Sequence, residues 1–307
     1  MKKRILSLFL ILLLCLAITG CGQVQNSEKY QVICTGFAQY DWVRNIVGQS
    51  QQVELTLLAN NSADLHNYQA TVADLAAISD CDLFIYIGGT SDQWVTDALK
   101  NPRNQHRQTL ALVDFAQKDQ DAHHNDHEHT AEEHVWLSLT YADRAVGHIA
   151  LLLGELDPEN AEVYEKNARE YRQKLQELDG QYRSCVEQAT YKTLLFADRF
   201  PFHYLTADYG LQYYAPFDGC STETEASFAT VVQLAQTLDK EGLPVVMVIE
   251  GSDRVIANTV IQNTKDKNQS ILELDSIQGA SQSRITNGET YLGIMEKNLA
   301  VLQQALN

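Results

Sequence analysis

The chain has 307 residues, with 40 acidic side chains against 23 Lys and Arg and a formal charge of −17. So acidic a surface excludes nucleic acid and anionic lipid headgroups as partners and favours cations. The length exceeds what one core usually organises and predicts two domains.

In chain order, a leader comes first. "MKKR" is a basic n-region, and "ILSLFLILLLCLAITGC" is an apolar run closing on small residues, the pattern of a secretory signal. The run is short for a membrane span of about 20 residues. Its end, Ile18-Thr19-Gly20-Cys21, resembles a bacterial lipobox, in which Cys21 becomes a lipid-modified N-terminus. Residues 1–20 therefore read as a lipoprotein signal peptide and 21–29 as a tether. The expected location is the cell membrane, lipid-anchored through Cys21 on the extracytoplasmic face. Cys34, Cys81, Cys185 and Cys220 remain, with no CxxC pair among them, which argues against a thiolate zinc site. Two disulfides among them stay open, although Cys34 and Cys81 sit in apolar runs and read as single buried cysteines.

Residues 30–156 predict a first α/β lobe. Strand-like runs "YQVICTG" (30–36), "QVELTLL" (52–58), "DLFIYIG" (82–88) and "TLALVD" (109–114) alternate with helical stretches such as "FAQYDWVRNIVG" and "ATVADLAAIS". Alternation of this kind argues for a parallel sheet flanked by helices. Near the lobe's end, residues 121–133 form a polar stretch, "DAHHNDHEHTAEE", in which acids are interleaved with imidazoles. Five of the nine histidines lie between His123 and His134. Neutral imidazole is the commonest metal ligand near pH 7, so the stretch points to metal.

Residues 157–187 predict a long linking helix. Tyr164, Ala168, Tyr171, Leu175, Leu178, Tyr182 and Cys185 recur at helical spacing as one apolar stripe. Asp157 is positioned to cap it, with Pro158 at its first turn and Gly180 as a weak point. Residues 188–307 resume the strand-helix rhythm with "KTLLFAD" (192–198), "LPVVMVIEG" (243–251) and "SILELDS" (270–276). The fold class is therefore α/β: two parallel-sheet lobes joined by a long rigid spine helix, with a ligand site between them.

In open α/β sheets, ligands bind outside the carboxyl ends of the strands. His66 in "NSADLHNYQ" follows the second strand, and His134 opens "HVWLS" after the histidine-rich stretch. Asp198 follows "TLLFA", Asp275 follows "SILEL", and His203 lies five residues beyond Asp198. Two imidazoles from one lobe and two carboxylates from the other would close a four-coordinate site, with His203 competing for the third place. Each has a structural alternative: Asp275 as a cap for the segment at Ser276, Asp198 as a partner of Arg199, His203 as a core histidine. His106 and His148 read as structural, and Glu250, Asp253, Glu223 and Glu225 as supporting or capping residues.

"ICTGFAQYDWVRNIVG", "DLHNYQATVADLAAISDCDLFIYIGG", "EEHVWLSL", "DRFPFHYLTADYGL", "GCSTETEASFATVVQLAQTL", "VVMVIEGSD" and "TYLGIMEKNL" resemble the metal-specific substrate-binding proteins of bacterial ABC importers for zinc and manganese. The resemblance covers nearly the whole chain beyond the leader. It implies two lobes with a metal between them, a membrane permease and an ATPase as partners, a monomer, and no enzyme activity. Carried over by motif, it puts family ligands at His66, His134 and Asp275. The third position departs: its slot falls at Ala197 or Asp198, while His203 has the fitting chemistry. The family's "HxYEPT" reads "HNYQAT" here, without its acid.

Nitrogen and oxygen donors without thiolate suit Zn(II), Mn(II) or Fe(II), and zinc outranks manganese in raw affinity. His66, His134, His203 and Asp275 together would indicate zinc; Asp198 in place of His203 would make manganese credible. His123, His124, His127 and His129 offer weak accessory sites suited to gathering zinc. The expected cargo is thus Zn(II), with Mn(II) as the alternative. A surface adhesin or zinc store is a further role. A zinc hydrolase ranks last, because it needs an open coordination position and a general base, and no HExxH or GxSxG motif is present.

Overall fold

The computed structural model of the chain describes residues 29–58, 68–90, 92–120, 132–217, 226–279 and 282–307. The first lobe is built on a parallel sheet of order β2-β1-β3-β4. Its strands are β1 (Tyr30–Cys34), β2 (Val53–Leu57), β3 (Leu83–Tyr86) and β4 (Gln108–Ala111). Alternation sorts their side chains onto two faces. Val32, Cys34, Leu83 and Ile85 face one core, and Ile33 and Phe84 the other. The first face is covered by α1 (Phe37–Val47), whose Phe37, Trp42 and Ile46 are fully buried. The second is covered by α2 (Val72–Asp80) and α3 (Val95–Leu99). Thr71 and Asp74 form a reciprocal capping box that starts α2. After β4 come α4 (Leu112–Gln120) and, past the histidine-rich stretch, a single 3₁₀ turn at Val135–Leu137.

Two neighbouring helices follow, α5 (Leu139–Leu156) and α6 (Ala161–Gln188), packed along each other. The expected stripe on α6 is buried from Tyr164 through Tyr182, and Val186 closes it in place of Cys185. Asp157 and Pro158 do not open this helix. They form a turn, and Asn160 occupies the N-cap position. Asp157 instead accepts hydrogen bonds from Tyr164 Oη at 2.7 Å and Asn160 Nδ2 at 2.8 Å. The helix runs unbroken through Gly180. At 28 residues it is about 42 Å long. It is more than a strut, because it packs on α1 and α5 and also on the last helix, α11 (Tyr291–Ala305).

The second lobe holds β5 (Thr193–Leu195), α7 (His203–Tyr209), β6 (Gln212–Tyr214) and α8 (Phe228–Glu241). β7 (Val245–Ile249), α9 (Val255–Gln262), β8 (Ser270–Leu274) and α10 (Gln282–Thr286) precede α11. β5 pairs parallel with β6 and β7 with β8. A Phe196–Met247 bridge joins the two pairs. β6 lies within "GLQYYAP", a stretch without strand patterning.

Leu194, Phe196, Val245, Met247 and Ile249 point into the same core as Val32, Leu83, the α6 stripe and Trp136. One apolar core therefore runs through both lobes. Polar ties cross at the same place. Trp136 Nε1 donates to the Ser276 carbonyl at 2.9 Å, and Tyr291 Oη donates to the Trp136 carbonyl at 2.6 Å. The Tyr291 backbone N–H donates to Asp41 at 2.8 Å, and Ser138 Oγ to Asp208 at 2.6 Å. The lobes meet through close-packed side chains. Cys34, Cys81 and Cys185 are free thiols, and Cys220 lies outside the described residues. Among the described residues no helix is long and apolar enough to cross a membrane.

Candidate metal centre

His134 stands at the lobe junction with only 2% of its surface exposed. Burial of Val135, Trp136 and Leu137 behind it fixes its backbone, and Trp136 meets the imidazole edge-on at 5.1 Å. The two acids before it are both used. Glu133 turns back to accept from the Thr90 N–H and hydroxyl. That contact explains Gly89: its φ is +76°, and a Cβ there would lie 2.6 Å from Glu133 Oε1. Glu132 turns the other way and binds His134 Nδ1 through Oε1.

His203 approaches the same carboxylate from the second lobe. It opens α7, with Nε2 3.7 Å from Glu132 Oε2 and Nδ1 3.2 Å from Tyr213 Oη. Phe200 packs against the ring edge-on at 5.0 Å. Glu132 thus stands between two imidazoles from different lobes. Burial pushes its carboxyl up, but the hydrogen bond and charge of His134, with a smaller effect of His203, outweigh this and hold it below the usual range.

The two aspartates at strand ends do not join this group. Asp198 Oδ1 accepts from the neighbouring Arg199 N–H at 2.8 Å. Asp275 is held by Arg284, at 2.6 and 3.2 Å to its two oxygens, and accepts the Ile277 N–H at 2.8 Å. Its side chain is spent on that ion pair and on capping the turn. The residue of this turn that does reach the site is Gln278, whose Nε2 lies 2.8 Å from His134 Nε2. Glu250 fastens the turn by accepting from Ser276 N at 2.8 Å and Ser276 Oγ at 2.6 Å. Burial and the neighbouring Asp275 charge raise its carboxyl, against the Ser276 hydrogen bonds. Asp253, just before α9, accepts from the Val255 N–H at 2.9 Å, while Arg254 holds the N-cap position of that helix, and His148 stacks on Phe115 at 4.9 Å.

Glu132 and Gln278 are the two contributors that sequence reading passes over. Glu132 carries a weak signal, a carboxylate two residues from a ligand-type histidine. Gln278 carries none, since its partner is 144 residues away. His66, the loop histidines His123, His124, His127 and His129, Cys21, Glu223 and Glu225 lie outside the described residues. Among the described residues no group of three or more His, Cys, Asp or Glu is arranged to hold a metal ion.

Two parallel-sheet lobes on one long helix, with imidazoles at their junction, define a two-lobed solute-binding protein. Solved structures agree. The metal-dependent lipoprotein YcdH from Bacillus subtilis superposes with a TM-score of 0.76 at 29% identity, over 91% of this chain and 99% of that one. The Zn(II)-bound ZnuA-like domain of Streptococcus pneumoniae AdcA gives 0.74 at 26% identity, over 91% and 99%. Residues 32–305 match the family described as the zinc-uptake complex component A, periplasmic, and the chain belongs to that family. Among its relatives is the high-affinity zinc uptake system protein ZnuA of Bacillus subtilis (strain 168), 30% identical over 322 residues, covering 100% of this chain and 99% of that protein.

Proposed function

We propose that the chain captures Zn(II) outside the cytoplasm and hands it to the membrane permease and ATPase of an ABC importer, with His66, His134 and His203 as its imidazole donors. The observation that carries this is the meeting of His134 and His203, one from each lobe, at opposite ends of Glu132. A carboxylate on the far nitrogen of a metal-binding imidazole sets its tautomer and raises its basicity, and Glu132 supplies that for His134. A manganese site would draw on carboxylates, and both strand-end aspartates are engaged elsewhere. An imidazole-rich set favours zinc.

The same geometry favours binding over catalysis. The carboxylate nearest both rings is committed to a hydrogen bond with His134 and lies 3.7 Å from His203, so it does not serve as a general base. Residues 30–156 and 188–307 act as the lobes and Cys21 as the lipid anchor on the extracytoplasmic face. His123, His124, His127 and His129 act as weak collectors beside the tight site.

Calorimetric titration of metal-stripped protein tests the reading. One tight zinc equivalent is expected, lost in His134→Ala and His203→Ala and kept in Asp198→Ala and Asp275→Ala. Zinc at about 1,000 times its Kd should add roughly 4 kcal/mol of stability by mass action, read as a rise in Tm. Affinity should fall as pH drops through about 6.5, where imidazoles take up protons. A melting curve indifferent to zinc sinks the proposal.

A further inference from the structure

Zinc must take a lone pair on His134, and the structure shows what already occupies it. A carboxylate only accepts, so in the neutral ring the proton sits on Nδ1, facing Glu132. The lone pair is then on Nε2, and 2.8 Å from it stands the side-chain amide nitrogen of Gln278. That nitrogen is a donor. Gln278 is 2% exposed, so the pair is shielded from water.

The turn that presents Gln278 is anchored on several sides. Glu250 holds Ser276, Asp275 holds the Ile277 N–H, Trp136 holds the Ser276 carbonyl, and Ile277 takes a left-handed φ of +60°. A non-glycine residue keeps that conformation only where its surroundings impose it. The amide is therefore delivered to the ring by a built turn, not left there by a floppy side chain.

We propose that Gln278 is an internal cap on His134: its N–H holds the metal-binding lone pair in the metal-free protein, and zinc binds by displacing it. The cap lowers affinity and speeds release, which suits a protein that must surrender its cargo. It rests on the reading of His134 as a zinc ligand. Gln278→Met keeps length and bulk but removes the donor. It should tighten zinc binding on the order of fivefold, the worth of one net hydrogen bond. Transfer of zinc to a competing chelator should slow by a similar factor.

Weaker binding in Gln278→Met would make the amide oxygen a ligand and overturn the cap; unchanged binding would make Gln278 a bystander and overturn it equally. Failure of the zinc reading looks different, because wild-type protein would then show no tight equivalent. A readout on wild-type protein guards against a misfolded variant. Long-range ¹H–¹⁵N spectra of metal-free protein above pH 7.5 should show His134 protonated at Nδ1, with Nε2 a hydrogen-bonded acceptor. The opposite tautomer sinks the proposal.

Discussion

The indole N–H of Trp136 donates to the backbone carbonyl of Ser276 at 2.9 Å, joining the histidine-bearing turn of one lobe to the glutamine-bearing turn of the other. Both ends are buried, so neither finds water if the bond is lost. Trp136→Phe should cost about 1–3 kcal/mol for the orphaned carbonyl, with the smaller ring adding to the loss. Urea unfolding of metal-free protein measures it. Zinc affinity should rise, because the same bond sets the separation of His134 and Gln278 and its loss loosens that contact. A variant with lowered stability and unaltered affinity would show that the two turns keep their spacing without this bond.

Asp275 separates stability from binding. Asp275→Ala takes from the Arg284 guanidinium, whose side chain is 18% exposed, the carboxylate at 2.6 Å and leaves it Glu289 at 3.4 Å. Hydrogen bonds to charged groups are worth about 1.5–3 kcal/mol, and a loss of that size should appear in chemical unfolding. Zinc affinity should stay within about threefold of wild type. A loss of tight binding with the fold intact would return Asp275 to the ligand set.

Asp208 predicts a pH dependence at the lobe junction. Burial raises its carboxyl; the Ser138 hydrogen bond opposes this, and the nearby Asp179 charge adds to it. The folded carboxyl therefore keeps its proton to higher pH than the unfolded one, whose ordinary value is 3.8. Folding takes up a proton between those two values. For this group stability is greatest below about pH 4 and declines as pH rises through the folded value. Asp208→Asn removes the charge but keeps an acceptor for Ser138. Its stability relative to wild type should be more favourable at pH 7 than at pH 4. A difference independent of pH would mean the carboxyl is not perturbed.

Long, strongly patterned elements are legible from residue spacing alone. The β3 run and the α6 stripe carry their burial in that spacing, and His134 carries its anchor in the apolar residues after it. β6 is not legible, because three residues beside a single partner strand need no alternation of their own. Asp157 and Pro158 fit the rule for a helix start, yet tertiary contact with Tyr164 draws Asp157 into a turn. Asp275 shows the limit for sites: its place after a strand is local information, whereas its capture by Arg284 depends on a helix laid down later. Gln278 becomes legible only once two distant turns are brought together.

The shared core has a consequence for how the chain is made. Asp41, near the start, receives the backbone N–H of Tyr291, 250 residues later. Trp42 rests edge-on against the Tyr291 ring at 5.3 Å. Part of the first lobe's apolar face is thus covered by the last helix. Contacts so far apart in sequence slow folding, and a chain interrupted before α11 would expose Trp42 and its neighbours to water.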